Sequence, residues 1–101
     1  MGLKKQYLKT GLACKVTFSL PKEGVGSANA VNVVGDFNNW KKSATPMKRL
    51  KNGTFTVTIA LERNREYQFR YLLDGQRWEN DWKADKYVHN DYGSENSVVI
   101  V

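Results

Sequence analysis

The sequence has very little of the chemistry on which disulfides and metal sites depend. Its 101 residues include one cysteine, Cys14, and one histidine, His89. A lone cysteine excludes an internal disulfide, and these two side chains are too few for a conventional zinc site. We therefore expect a hydrophobic core to hold the fold together, with no cofactor and no metal.

Long apolar runs are also missing. No segment approaches the roughly 18 consecutive apolar residues of a membrane span, and the N-terminal lysines are not followed by the apolar stretch of a signal peptide. These absences favour a cytoplasmic protein that does not engage a membrane. The length suits one domain, and we predict a flexible N-terminal tail over residues 1–11 and a folded domain over residues 12–101.

What the sequence does contain is alternation. Apolar and polar residues alternate with a period of two, which turns successive side chains to opposite faces of a strand, and no helical period of useful length is present. The pairs Asn52-Gly53 and Asp74-Gly75 suit tight hairpin turns. About seven short strands separated by turns predict an all-β, two-sheet antiparallel sandwich. The predicted core consists of the inward members of the runs: Val16, Phe18, Val31, Val33, Phe55, Val57, Ile59, Phe69, Tyr71 and Val98.

The tryptophans stand apart from this pattern. Trp40, Trp78 and Trp82 all lie in segments rich in Gly, Asn and Asp rather than in the alternating runs. Exposing an indole is costly unless a ligand or partner covers it, so each ring either folds back as a cap on the sandwich or serves as a binding platform. For Trp82 we favour the packing interpretation. Gly35 and Asp36 are predicted to shape the turn that presents Trp40, with the glycine supplying backbone freedom.

Polar side chains near these rings point to a sugar ligand. One face of a pyranose is lined with C–H groups that stack on aromatic rings, while its hydroxyls need amides, hydroxyls and cations. Asn38, Asn39, Arg70, Ser94 and Asn96 offer such groups. The simpler alternative is that the asparagines and the serine serve only as turn residues and that Arg70 is a solvated strand residue.

Three segments resemble family 48 of the carbohydrate-binding modules. They are VVGDFNNW at residues 33–40, FRYLLDG at 69–75 and GSENSVV at 93–99. The likeness runs from about Val16 to Val101, and the family includes the early-set domains of isoamylases and glycogen branching enzymes and the glycogen-binding domain of the AMP-activated protein kinase β subunit. The resemblance implies an immunoglobulin-like early-set sandwich that binds α-1,4-linked glucan without catalysis.

The resemblance also implies a set of binding residues. Here arginine stands at position 70 where lysine is usual, tyrosine stands at position 92 where leucine is usual, and Arg77 is an additional residue before Trp78. The positions that match the family's glycogen site are Trp40, Arg70, Trp78, Tyr92, Ser94 and Asn96, beside which we place Asn39.

Other functions stay open. Asp36, Glu79 and Asp81 are carboxylates in turns, which are usually solvated, so we do not expect an enzyme. The net charge of +6 keeps single-stranded nucleic acid under consideration, although the cations are scattered and no oligonucleotide-binding motif accompanies them. A regulatory module that docks a glycan-active enzyme or a kinase, through a sheet edge at residues 98–101, is the stronger alternative. We expect a monomer.

Overall fold

Two antiparallel sheets face each other in the computed structural model, which describes residues 2–9 and 11–101. The strands of this described part are β1 (Gly2–Tyr7), β2 (Ala13–Leu20), β3 (Val31–Gly35), β4 (Lys48–Arg49), β5 (Phe55–Glu62), β6 (Glu66–Leu73), β7 (Arg77–Glu79), β8 (Lys86–His89) and β9 (Glu95–Ile100). A short helix, α1 (Lys22–Val25), follows β2, and a 3-10 turn (Asp36–Asn38) follows β3. The predicted all-β sandwich of early-set type is confirmed.

Strand β6 is the centre of the second sheet. The first sheet has the order β1-β2-β5-β4, and the second has the order β3-β6-β9-β8. Strand β7 also pairs with β6. Strand β9 pairs with residues 66–69 of β6, and β7 pairs with residues 71–73. Among the described helices, none is long and apolar enough to cross a membrane.

The core lies between the two sheets and is rich in aromatic rings. The ring of Phe69 packs edge-on against Phe18 at 5.0 Å between centroids and against Tyr71 at 5.7 Å. Burying each such side chain contributes about 1.5–3 kcal/mol, and edge-to-face pairs add to this. The predicted core residues that are buried between the sheets are Val16, Phe18, Val31, Val33, Phe55, Phe69 and Tyr71.

Three predicted core residues differ in detail. Val57 and Ile59 are only partly buried, although they pack against the core. Val98 is buried, but it pairs with Gln68 and therefore lies on the outer face of the second sheet, opposite to Phe69. The prediction that Val98 points inward is wrong because Val98 and Val99 are consecutive apolar residues, and alternation cannot tell which of the two faces the core.

The N-terminal segment also differs from its prediction. Where a flexible tail was expected over residues 1–11, Gly2–Tyr7 forms an edge strand that pairs with β2 from Gly2 opposite Ser19 to Tyr7 opposite Cys14. Leu3 packs against the core, and Lys5 Nζ lies 2.7 Å from Asp85 Oδ2. Adjacent lysines at positions 4 and 5 interrupt the alternation, so the strand had no sequence signal. Met1 and Thr10 lie outside the described residues, and the domain limits of 12–101 stay a prediction.

A buried carboxylate ties the segment after β7 to the core. Asp81 is fully buried; its Oδ2 accepts a hydrogen bond from the Tyr71 hydroxyl at 2.7 Å, and its Oδ1 accepts one from the Lys83 amide at 2.8 Å. The Asp81 amide donates to Ser97 Oγ at 2.9 Å, and the Tyr87 hydroxyl donates to the Asp81 carbonyl. Burial, together with the nearby Asp81 carboxylate, raises the pKa of Tyr71 well above its usual value.

We predict that Asp81→Ala destabilises the domain by about 3 kcal/mol, because it leaves the buried Tyr71 hydroxyl and the partly buried Lys83 amide without their acceptors. Asp91→Ala, at an exposed position, is the matched control and should change stability by less than about 0.5 kcal/mol. Urea unfolding measured by tryptophan fluorescence compares the two. Equal midpoints for both variants would contradict a structural role for Asp81.

Candidate functional site

A cleft of about 620 Å³ opens on the outer face of the second sheet. Arg70 lies on this face because its neighbours Phe69 and Tyr71 point into the core. The cleft is lined by Trp40, Lys42, Arg70, Trp78, Asn90, Tyr92 and Asn96. These residues come from the turn after β3, from β6 and β7, and from the connection between β8 and β9 with the start of β9.

The turn after β3 is built to present Trp40. The Trp40 indole Nε1–H donates to Asp36 Oδ1 at 2.9 Å, and Asp36 Oδ2 accepts from the Gln68 amide of β6 at 2.7 Å. Asn38 Oδ1 accepts from the Gly35 amide at 3.0 Å. Asn39 and Trp40 both have φ of 57°, a left-handed conformation that costs about 1–2 kcal/mol for a residue such as tryptophan. The hydrogen bonds at both ends of the turn offset that cost.

Gly35 is required for space rather than for conformational freedom. Its φ is −171°, an extended value that any residue adopts. A Cβ atom at this position would lie 2.4 Å from the Gln68 carbonyl oxygen and 2.8 Å from Phe69 Cβ. The predicted role of Gly35 in shaping the turn therefore has a different physical cause, which is the close approach of β3 to β6.

Trp78 is positioned by a strand, not by a loop as the sequence indicated. It lies on β7 opposite Leu72, and the additional residue Arg77 is accommodated as the partner of Leu73. The Trp78 and Trp40 rings are 6.5 Å apart between centroids, with 58° between their planes. Two indoles from distant parts of the chain thus form one angled surface.

Arg70 completes this surface from below. Its guanidinium carbon lies 5.4 Å from the Trp78 ring centroid, which is a cation–π distance. Burial lowers the pKa of Arg70, and the carboxylate of Glu79 partly offsets that effect. An arginine nevertheless stays charged at physiological pH, so the cleft carries a permanent positive charge. Arg70 Nε is buried and has no hydrogen-bond partner within the described part of the chain.

Hydrogen bonds between side-chain amides join two other lining residues of the cleft, Asn90 and Asn96. Asn96 Nδ2 donates to Gln68 Oε1 at 3.0 Å, and Asn96 Oδ1 accepts from Asn90 Nδ2 at 3.1 Å. Asn90 Oδ1 in turn accepts from the amides of Tyr92 at 2.9 Å and Ser94 at 3.2 Å. These bonds hold the turn that carries Tyr92, whose side chain is 93% exposed.

The structure brings together five of the seven predicted site residues, namely Trp40, Arg70, Trp78, Tyr92 and Asn96. Asn39 is exposed at the end of its turn, and Ser94 lies beyond Tyr92, so neither lines the cleft. Trp82 is also outside the lining and is 54% exposed, which differs from the packing interpretation.

Sequence reasoning missed two residues of the cleft, Lys42 and Asn90. For Asn90 a signal was present, since Asn90-Asp91-Tyr92-Gly93 is a turn sequence in which the asparagine can bond the backbone two residues on. For Lys42 the sequence offers no such signal, because nothing local distinguishes it from the preceding Lys41.

The chemistry of the cleft suits binding rather than catalysis. Its lining residues supply aromatic faces, amides and two cations, and no carboxylate among them could act as a general acid or nucleophile. Within residues 2–9 and 11–101, no group of three or more His, Cys, Asp or Glu side chains is placed to hold a metal ion. A β-sandwich with such a cleft is a ligand-binding module of the carbohydrate-recognising class.

Comparison with known families agrees with this class. Residues 17–101 match the family described as the glycogen recognition site of AMP-activated protein kinase, and the chain belongs to that family. The family is a non-catalytic carbohydrate-binding domain, so the predicted resemblance to carbohydrate-binding modules is confirmed.

Two curated relatives carry a similar segment. An amylopullulanase of Thermoanaerobacterium thermosulfurigenes is 32% identical over 75 residues, which are 72% of this chain and 4% of that protein. A chloroplastic/amyloplastic 1,4-alpha-glucan-branching enzyme of Oryza sativa subsp. japonica is 27% identical over 81 residues, which are 73% of this chain and 10% of that protein. The chain therefore spans a tenth or less of the length of these relatives.

We predict that Gly35→Ala lowers stability by about 1–3 kcal/mol, because the added methyl group collides with the β6 backbone. It should also disturb the Trp40 turn. Gly75→Asn is the control, since Gly75 has open space around it and a φ of 68° that asparagine tolerates. Thermal unfolding measures the Tm of both variants, and an NMR spectrum shows whether the Trp40 indole resonance moves. A Gly35→Ala protein with wild-type Tm and an unmoved Trp40 resonance would contradict the prediction.

Proposed function

We propose that the cleft binds α-1,4-linked glucan, such as glycogen, starch or maltooligosaccharides, with Trp40 and Trp78 as the stacking platform. The observation that carries this proposal is the pair of indole rings, 6.5 Å apart and inclined by 58°. α-1,4-Linked glucan is curved, so successive glucose units present their faces at an angle to one another. Cellulose is straight and flat, and it would contact one ring at a time.

The polar groups around the rings suit the hydroxyls of the sugar. The Asn96 amide is bonded to Gln68 and Asn90 but keeps one hydrogen on Nδ2 and one lone pair on Oδ1. Arg70 and Lys42 both line the cleft and add cationic donors beside the rings. The roles of Asn39 and Ser94 in binding stay predictions; Asn39→Ala, which leaves the cleft lining intact, tests the first of them.

The relatives support a glucan ligand. The amylopullulanase and the 1,4-alpha-glucan-branching enzyme both have names that refer to glucan chemistry. We propose that a module of this kind holds a glycan-active enzyme near its polymer, in the cytoplasm and as a monomer. Stacking and net hydrogen bonds contribute about 0.5–1.5 kcal/mol each, so after the costs of association we expect micromolar to millimolar affinity.

The class of ligand is tested by native affinity electrophoresis in gels that contain glycogen, amylopectin, cellulose or no polymer. We expect retardation by the two α-glucans alone. Binding to α-glucan should change little between low and high salt, whereas contacts to nucleic-acid phosphates weaken steeply as salt rises. Retardation by cellulose, or its absence in every gel, would overturn the proposal.

We predict that Trp40→Ala and Trp78→Ala each weaken β-cyclodextrin binding by about tenfold or more, which corresponds to about 1.4 kcal/mol. Because both rings are only partly buried, the Tm should change little. Trp82→Ala removes an indole outside the cleft and serves as the control, with affinity expected within about twofold of wild type. Fluorescence titration measures all three. Unchanged affinity in both cleft variants would exclude this site.

The docking alternative rests on the sheet edge at residues 98–101. Strand β9 pairs with β6 as far as Ile100 but with β8 only as far as Val98, so Val99 and Ile100 have a strand partner on one side only. Among the described strands, β1 and β4 lie at the ends of the first sheet order, and β3 and β8 lie at the ends of the second. Docking of a glycan-active enzyme or a kinase through residues 98–101 stays a prediction.

A further inference from the structure

A second cleft, of about 340 Å³, lies between the α1 segment and the turn that joins β4 to β5. Its lining includes Lys22, Arg49 and Lys51 together with Gly26 and Gly53. It shares no lining residue with the aromatic cleft, and neither the family match nor the relatives assign it a role.

Two arginines beside this cleft are held in place by backbone carbonyls. Arg49 Nη2 donates to the Ala28 carbonyl at 3.0 Å, and its guanidinium carbon lies 5.1 Å from the Phe55 ring centroid. Arg77 Nη2 donates to the Val25 carbonyl at 3.1 Å. Each of these bonds uses one nitrogen of a guanidinium that carries five N–H donors, so both arginines keep donors for a ligand.

Close packing also brings Lys22 and Arg77 to the two glycines of the cleft. The Cβ, Cγ and Cδ atoms of Lys22 lie 3.3–3.4 Å from the position that a Cβ on Gly53 would occupy. Arg77 Nη2 lies 3.6 Å from the corresponding position at Gly26. Both glycines have positive φ, of 60° for Gly26 and 88° for Gly53. Three cations, Lys22, Arg49 and Lys51, therefore line this cleft, and a fourth, Arg77, lies beside it at Gly26.

The positive charge of this cluster is not neutralised by the protein. In the described residues the ion pairs are Lys5 with Asp85, Arg65 with Glu62 and Lys86 with Glu66, and none involves the four cations. The three acidic residues of the neighbouring segments are Glu23, which is exposed on α1, Asp74, and Glu79, which lies two residues from Arg77 on β7. The Asp74 carboxylate accepts the amides of Asn29 and Ala30 at 2.9 and 3.0 Å. Part of the net charge of +6 is thus concentrated at one end of the sandwich.

We infer that this cleft binds the phosphate group of a small phosphorylated molecule. Arginine donors pair with phosphate oxygens in a fixed, bidentate geometry, and lysines add point charges that strengthen the attraction. A volume of about 340 Å³ suits a ligand the size of a monosaccharide phosphate rather than a polymer. This site is independent of the glucan cleft, so either can fail without the other.

The proposal is tested by following backbone and indole N–H resonances of the whole chain during titration with inorganic phosphate, pyrophosphate and glucose 6-phosphate at constant ionic strength. We expect saturable shifts at Gly26 and Gly53, and unmoved indole resonances of Trp40 and Trp78. Glucose should produce no shift at the two glycines. Tighter binding of glucose 6-phosphate than of pyrophosphate identifies a sugar phosphate as the source of the phosphate group, and the reverse order identifies a polyphosphate.

Variants that remove positive charge distinguish a specific phosphate site from general electrostatic attraction to the domain. Lys22→Gln/Lys51→Gln changes two exposed lysines of the cleft and should weaken the best phosphate ligand by about tenfold or more. Lys9→Gln/Lys15→Gln removes the same charge from exposed positions at the opposite end of β2 and should stay within about twofold of wild type. β-Cyclodextrin binding should be the same in both variants.

Three outcomes would overturn the inference. They are an equal loss in the two double variants, shifts that sulfate or chloride reproduces at the same concentration, and shifts that do not include Gly26 and Gly53. A failure of β-cyclodextrin to bind the wild-type protein would instead count against the proposed glucan function. It would not affect the phosphate inference, which the phosphate titration tests separately.

Discussion

The alternation of side chains along β6 is the constraint on which both the core and the cleft depend. Phe69 and Tyr71 point between the sheets, and Arg70, which separates them, points to the outer face beneath Trp78. A shift of register by one residue would exchange the two sets and destroy the core and the cleft together. The pairing of β6 with β3, β7 and β9 fixes that register on both sides, so the stability of the sandwich and the position of Arg70 have the same cause.

Short polar side chains hold the loops in place by hydrogen bonds, as strand pairing holds the sheets. Asp36 links the Trp40 indole to the β6 backbone, Asn90 holds the turn of Tyr92, and Asp81 ties the segment after β7 to the core. Each accepts hydrogen bonds from groups that would otherwise be unsatisfied, and each lies within a few residues of an aromatic side chain. The Trp40 ring and the turn that carries Tyr92 are therefore held in place before any ligand arrives, which reduces the entropy lost on binding.

The positively charged side chains of the domain lie in two distinct environments. In the aromatic cleft Arg70 is partly buried against Trp78, where its charge is part of a mixed aromatic and polar surface. At the end of the sandwich Arg49 and Arg77 are held by carbonyls beside two exposed lysines, and no ion pair within the described part of the chain involves these cations. The cations of the domain therefore lie in two different environments. In the aromatic cleft the arginine is part of a stacking surface, and at the end of the sandwich the cations create an uncompensated positive potential.

The sequence by itself determined the all-β class, most of the core and the identity of the main aromatic residues, because a period of two and turn residues such as Asp74-Gly75 are local properties of the chain. It did not determine the face of Val98, the strand at Gly2–Tyr7, the strand position of Trp78 or the inclusion of Asn90 and Lys42 in the cleft. Each of these depends on which segment lies beside another, and neighbouring positions along the chain carry no information about contacts between residues far apart in sequence. Only the pairing of the sheets decided that two distant tryptophans share one surface and that scattered lysines and arginines gather at one end of the sandwich.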